Sequence, residues 1–357
     1  MKIRPIPARE LSADLVQRWH EILAATPQLA GPYFRPEFVS AVAAARDDVE
    51  IAVLEEAGQV AGFFPFQRTR WNVAQPVGGT LSDYQGVVAA PSLVWQPDEL
   101  LTACRLSAWE FDHQLTWQTA LLSCFENVAP SPYIELTAGY EAWLVERKQP
   151  AGVWLTGALR KLRKLERETE DLSFEWHSAD CSAFEQLLAW KSAQYLRTGL
   201  PDLFARERIV GLLDRIRLAQ SPQFRGVLSV LRAGQRLLAV HFGMQAGGTL
   251  HYWFPAYDPE ESRSSPGQSL LLLMARHAAE HGVTRIDLGK GSEEYKLKLA
   301  NGVTEVAAGC LDRRPLAATL RRGYSAARDW VKQSSLHKPA RVPIRWLRRM
   351  SELLSSH

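Results

Sequence analysis

The chain has no run approaching the roughly 18 uncharged apolar residues that a membrane-spanning helix needs. Its opening stretch, MKIRPIPARELSADL, meets charged and turn-forming residues before any apolar run forms. Neither a spanning helix nor a secretory leader is expected. Cysteines are few: Cys104, Cys124, Cys181 and Cys310 stand far apart with no Cys-x-x-Cys pair. That spacing argues against a structural zinc site and a disulfide framework, so no metal is expected and a reducing cytoplasm is the expected compartment. A net excess of one charge sign is small over the body but large at the end. From Arg313 onward there are eleven Lys or Arg against Asp329 and Glu352, leaving 31 basic and 37 acidic residues before it. A mildly acidic body with a basic tail suggests an anionic partner for the tail, lipid or nucleic acid, or a solvated helix packed on the body.

What is present fills about two domains, since 357 residues at roughly 150 per domain allow two cores. Ser12 reads as the N-cap of a helix reaching about Ala25, and PEFVSAVAAA after Pro36 as a second helix. VEIAVLEEAGQVAGFFPFQR reads as two strands around Ala57-Gly58-Gln59, and GVLSVLRAGQRLLAVHFGMQ as two more around Ala233-Gly234-Gln235. The tetrapeptide Gly-Gly-Thr-Leu follows both hairpins, at Gly78 to Leu81 and Gly247 to Leu250. A duplicated domain is the reading, with a first unit over 1–150, a second over 151–312 and a tail over 313–357.

In the second unit, LTGALRKLRKLERE places Leu155, Leu159, Leu162 and Leu165 on one helical face and Arg160, Lys161, Arg163, Lys164 and Arg167 elsewhere. Ser182 and Glu185 resemble a capping box, and a further helix is expected after Asp202. After the hairpin come a strand in TLHYWFPAYD, a junction in SRSSPGQSLLLLMA, a helix stop at Gly282, a strand in TRIDLG and a short helix in SEEYKLKLA. The junction turns from polar to apolar within a few residues. A Pro-Gly turn feeding a helix leaves backbone N–H groups free at the positive end of the helix dipole, which suits an anion such as phosphate. Gly267 permits close approach, Ser265 and Ser269 add hydroxyls, and Arg263 adds charge. The matching region of the first unit opens its helix with Pro97-Asp98-Glu99, whose carboxylates would repel a phosphate.

The run from HFGMQAGG through the block DLGKGSEEYK (Asp287 to Lys296), with SPGQSLL, PYFRPEF and the Ser82-Asp83-Tyr84 triplet, resembles the GNAT acyltransferase superfamily. The branch it resembles is the tandem one, with the cellulose-biosynthesis-type (CelD/BcsL) acetyltransferases and the FemAB-like transferases. The likeness covers most of residues 30–312. It implies an α+β fold, a mixed twisted sheet in two GNAT-like copies of which the first is degenerate. It also implies that acyl-CoA, acetyl-CoA included, lies between two splayed central strands. The pyrophosphate would then be held by Arg263, Ser265, Pro266, Gly267, Gln268 and Ser269. Family members commonly carry two spaced glycines there, whereas this chain has Gly267 alone behind Pro266.

Acyl transfer from a thioester needs a base for the nucleophile, donors for the oxyanion and an acid for the leaving thiolate. By resemblance Tyr295 is the acid. Asp287, Glu294 and His241 are alternatives for the base, and His241, among apolar neighbours, reads equally as a core histidine. The oxyanion falls to backbone N–H groups near Phe254 to Ala256. Asp83, Tyr84, Lys191, Tyr195 and Lys296 are the candidate acceptor pocket.

The function expected is acyl-CoA-dependent transfer to a small-molecule or saccharide acceptor related to the envelope or to exopolysaccharide. Two alternatives stand beside it. One is FemAB-like aminoacyl transfer from tRNA, with the basic helix as footprint. The other is a non-catalytic scaffold of a polysaccharide synthesis complex. In it the tail docks on a synthase or on an anionic membrane surface, which would place a cytoplasmic protein at the inner membrane.

Overall fold

The computed structural model describes residues 1–314. The expected tail contacts, membrane or synthase, lie outside the described residues from 315 onward. Among the described residues no helix is long and apolar enough to cross a membrane.

The first half runs β1 (Lys2–Pro7), α1 (Ala13–Ala24), α2 (Pro36–Ala43), β2 (Val49–Glu56), β3 (Gln59–Arg68), β4 (Val73–Gln75), a two-residue β5 (Val88–Ala89), α3 (Pro97–Ala103), β6 (Ala108–Leu115) and β7 (Phe125–Glu135). The second runs α4 (Tyr140–Glu168), β8 (Leu172–Glu175), α5 (Cys181–Thr198), α6 (Glu207–Leu218), β9 (Arg225–Ala233), β10 (Arg236–Ala246), β11 (Thr249–Tyr257), α7 (Pro266–His277), β12 (Arg285–Asp287), α8 (Glu294–Leu299) and β13 (Gly302–Asp312). Apart from β5, α4 and α8, the order of strand, two helices, three strands, helix and two strands occurs twice. The mixed twisted sheet and the duplication expected from the sequence are both present.

Local signals explain much of this. Ser12 Oγ accepts from the Leu15 amide and starts α1. The two Ala-Gly-Gln turns need a left-handed residue, supplied at Gly58 (φ 80°) and Gly234 (φ 56°), where glycine carries no steric penalty. Two expectations are corrected. Asp180, not Ser182, caps α5, its carboxylate accepting from the Ser182 and Ala183 amides. The repeated Gly-Gly-Thr-Leu is not an equivalent pair: the first copy forms a turn after β4, while the second opens β11.

All the strands form one sheet in the order β1-β2-β3-β4-β6-β13-β7-β12-β11-β10-β9-β8, with β5 on β3. The last strand of each half is exchanged: β13 pairs with β6 of the first half, and β7 pairs with β12 of the second. The boundary expected at 150/151 falls inside α4, a helix that carries Pro150 within it. α4 buries Leu155, Ala158 and Leu162 in the same core as the apolar run of α7, Leu270 to Ala275. Each buried leucine contributes about 1.5–3 kcal/mol, so the polar-to-apolar junction ahead of α7 is clamped on its apolar side.

Candidate functional site

The cleft begins where the sheet stops. β11 and β12 pair in parallel for three residues only, ending at His251 opposite Asp287. On the far side of β12 lies β7. Residues 130, 132 and 134 of a strand face one way, and positions 130 and 132 are prolines without an N–H. The chain after Asp287 accordingly only donates to β7, from Leu288 to Pro132 O at 3.0 Å and from Gly291 to Pro130 O at 3.4 Å, and it follows β7 while parting from β11. At the same level β11 bulges: Phe242 faces Phe254 and Met244 faces His251, so Tyr252 and Trp253 share one partner, Gly243. A Cβ on Gly243 would lie 2.2 Å from the His251 carbonyl oxygen. The bulge therefore requires glycine there.

The resulting cleft has a volume of about 630 Å³. Trp253, Pro255 and Ala256 of β11 form one wall, and Leu288, Gly289, Lys290, Glu293, Tyr295 and Lys296 the other. α5 contributes Trp190, Lys191, Gln194 and Arg197, and the turn before α7 closes the far end with Ser262, Ser265, Gly267 and Gln268. Within that turn Ser265 is left-handed (φ 56°). Fewer amides are free than the sequence suggested. Pro266 has none, and the Gln268 and Ser269 amides both donate to Ser265 O, at 3.0 and 3.1 Å. Gly267 keeps the free first-turn amide, and positive charge arrives from elsewhere: Lys161 of α4 donates to Ser265 Oγ at 2.7 Å. Arg263 is exposed and outside the lining, while Pro266 and Ser269 are buried in the helix start.

At the inner end of the cleft the two halves meet in a cluster of charge. His251 is fully buried; its Nε2 lies 2.9 Å from Asp83 Oδ2 and its Nδ1 3.6 Å from Asp287 Oδ1. Burial alone would lower the imidazole pKa, but the two carboxylates outweigh it and lift it to about 9. Burial likewise opposes ionisation of Asp83, and His251 more than compensates, so its carboxyl sits below the usual range. The array continues outward: Asp83 Oδ1 is 3.9 Å from His113 Nε2, and His113 Nδ1 is 2.9 Å from the half-exposed Asp112. Among the described residues no group of three or more His, Cys, Asp or Glu side chains is arranged to hold a metal ion.

The structure brings together Asp83, Lys191, Tyr295 and Lys296 on the cleft walls. Burial and the nearby Glu293 push the Tyr295 hydroxyl above its usual pKa, so it stays protonated. Burial pulls Lys191 down to about 8. Other expected residues stand apart. Glu294 is exposed and outside the lining. His241 is buried behind β11, stacked on Tyr252 at 4.3 Å, and burial first, then the His251 charge, pull its pKa to about 3. Asp287 accepts from the Gly289 amide at 2.8 Å and shapes the turn as well as facing His251. Tyr84 donates to Ser131 Oγ at 2.7 Å inside the sheet. Tyr195 packs edge-on against Phe204 behind Lys191. Sequence reasoning missed His251, His113 and Asp112. The strand pattern signals only that the histidine in TLHYWF is buried, not which carboxylates it meets.

Residues 156–297 match the family described as Acetyltransferase (GNAT) domain. The matched residues lie in the second half of the chain, and the mixed twisted sheet there has the GNAT fold. No curated protein matches the chain. Among solved structures, FemX is similar at 13% identity, covering 89% of this chain and 99% of FemX with a TM-score of 0.57. The C-terminal DUF2156 domain of an Agrobacterium fabrum protein, described as a lysylphosphatidylglycerol synthetase, is similar at 15% identity, 90% and 97% coverage and a TM-score of 0.53. L-PGS from Bacillus licheniformis is similar at 12% identity, 87% and 94% coverage and a TM-score of 0.52. At these identities the likeness is one of fold.

Proposed function

We propose that the protein is an acyltransferase that binds acyl-CoA in the cleft and passes the acyl group to an acceptor seated at Asp83. The observation that carries the reading is the parting of β11 and β12 at a bulge, with the Gly267 turn at one end and the Asp83–His251 pair at the other. In this reading the backbone amides of β11 at the bulge are the oxyanion donors that the transfer needs. Asp83 takes a proton from the attacking amine or hydroxyl, with the buried His251 fixing its carboxylate. Tyr295, protonated and on the opposite wall, donates to the departing thiolate. The acceptor proposed is the one the sequence resemblance implies, an envelope or exopolysaccharide-related amine or hydroxyl.

A second reading, aminoacyl transfer from tRNA, is supported by the exposed Arg160, Lys161, Arg163, Lys164 and Arg167 of α4, which lead to Ser265 at the cleft mouth. Calorimetric titration separates the two. Saturable binding of acetyl-CoA or a longer acyl-CoA, with CoA competing, is the expected result. Binding of aminoacyl-tRNA with no response to any acyl-CoA would replace the first reading by the second.

A further inference from the structure

Lys191 is a buried amine without a counter-ion. It is 8% exposed, on the face of α5 that lines the cleft. Its Nζ donates to Gln194 Oε1 at 3.0 Å and lies 5.7 Å from the Tyr195 ring and 5.9 Å from the Phe254 ring. Among the described residues no carboxylate pairs with it, and burial alone accounts for its lowered pKa. Lysines are almost never buried unless paired, because desolvating an ammonium is costly. The transfer chemistry assigned to Asp83 and Tyr295 leaves this amine unused. Yet Phe254 belongs to β11 just beyond the bulge, where the thioester is held in the proposed reading, so an amine that gives up its proton more readily than an exposed lysine stands beside the electrophile.

We propose that Lys191 is a site of self-acylation, its amine attacking the thioester of an acyl-CoA bound in the same cleft. The inference rests on the acyl-CoA reading. A bond forms between Nζ and the carbonyl carbon, the carbon–sulfur bond breaks, and the proton lost by the amine ends on the CoA thiol. The products are Nε-acyl-Lys191 and CoA, with no further reactant required. The modification removes a cation from the α5 wall and fills space beside Trp190 and Gln194, so it limits entry of the acceptor.

The charged and titratable groups on the walls around Lys191 are Arg197 and Tyr195 from α5, Asp83 from the first half, Tyr252 and Tyr257 from β11, and Lys290, Glu293, Tyr295 and Lys296 from the segment before and in α8. With an amine that titrates near 8, the neutral fraction rises about tenfold from pH 7 to pH 9, against about a hundredfold for an ordinary exposed lysine.

The test is to incubate the full chain with acetyl-CoA at pH 7 and pH 9 and to read intact mass and mapped peptides, with binding of acetyl-CoA measured in parallel. A single acetyl group concentrated on Lys191, its rate rising about tenfold between the two pH values, is the expected result. Lys191→Met keeps the length of the side chain and should bind acetyl-CoA without being modified. Binding without acetylation of Lys191, or acetyl groups spread over exposed lysines with the hundredfold rise, overturns the inference alone. Failure to bind acetyl-CoA overturns the acyl-CoA reading and the inference with it.

Discussion

Asp83 and His251 stand 168 residues apart in the chain and 2.9 Å apart in the fold, and their contact joins the two halves at the inner end of the cleft. The folded imidazole titrates near 9, above its ordinary value of about 6.5. Its stabilisation is therefore complete below about pH 6.5 and is lost as pH rises through 9. Asp83, lowered in the folded state, works the other way: its share is present above the ordinary carboxylate range and is lost as pH falls through its depressed value. Unfolding free energy should thus be greatest between these limits and fall on the alkaline side by an amount of order 3 kcal/mol. Urea titrations across pH 6 to 10 check this, and Asp83→Asn should reduce the alkaline loss. An unchanged pH profile in that variant would mean that the pair does not couple.

Truncating the pair from the other side should be worse. His251→Gln removes the cation between Asp83 and Asp287 and leaves Asp83 only its more distant neighbours, His113 at 3.9 Å among them; breaking a fully buried pair typically costs about 3–5 kcal/mol, and the partly exposed Asp83 should bring the loss toward the lower end. The midpoint of chemical unfolding is the readout; a change below about 1 kcal/mol would show that water, rather than His251, compensates the carboxylates.

At the cleft mouth, a Cβ on Gly267 would lie 3.2 Å from the Tyr257 ring, and Tyr257 is 44% exposed and able to move. Gly267→Asp should therefore fold, while placing a carboxylate beside the free amide where a pyrophosphate would rest. Acyl-CoA affinity should fall by at least about tenfold, the equivalent of 1.4 kcal/mol. Normal affinity in a folded variant would move the anion site elsewhere.

Tyr295→Phe tests the chemistry. Removing the proton donor while keeping the ring should lower turnover by about 10² to 10⁴ with little change in acyl-CoA affinity. A purely structural tyrosine would instead cost about 1 kcal/mol of stability and leave turnover per folded molecule near normal.

Gly243→Ala addresses the bulge. Its methyl would meet the His251 carbonyl oxygen at 2.2 Å and the His241 ring at 2.7 Å, and backbone cannot yield cheaply. A loss of about 1–3 kcal/mol is expected from overpacking, read by denaturant titration, together with weaker acyl-CoA binding as the bulge is displaced.

Local rules reached a good part of this molecule. The Ser12 cap, the Ala-Gly-Gln hairpins, the Gly282 stop and the leucine face of α4 each depend on neighbours in sequence, and each was legible. β7 was not: Pro130 and Pro132 argue against a central strand, yet their carbonyls still accept from Leu288 and Gly291 and β7 lies between β12 and β13. The Gly-Gly-Thr-Leu repeat misled because four residues carry no information on register. Asp83, Tyr295 and Lys296 lie in the motifs that carry the resemblance, Lys191 was read from its helix, and all four line the cleft. His251 was not reached, because its role depends on carboxylates brought from both halves by strand exchange. A lone buried histidine gives no local sign of such partners.

That exchange also constrains how the chain can be made. During synthesis β6 emerges about 200 residues before its neighbour β13, as the pairing of Glu110 with Cys310 illustrates. Until then β6 presents an unpaired edge, a template for wrong partners. The first half therefore cannot complete its own sheet ahead of the second. Its retention follows from topology as much as from the residue it lends to the site, and a gene cut between the copies would yield two fragments, each with an open edge waiting for the other.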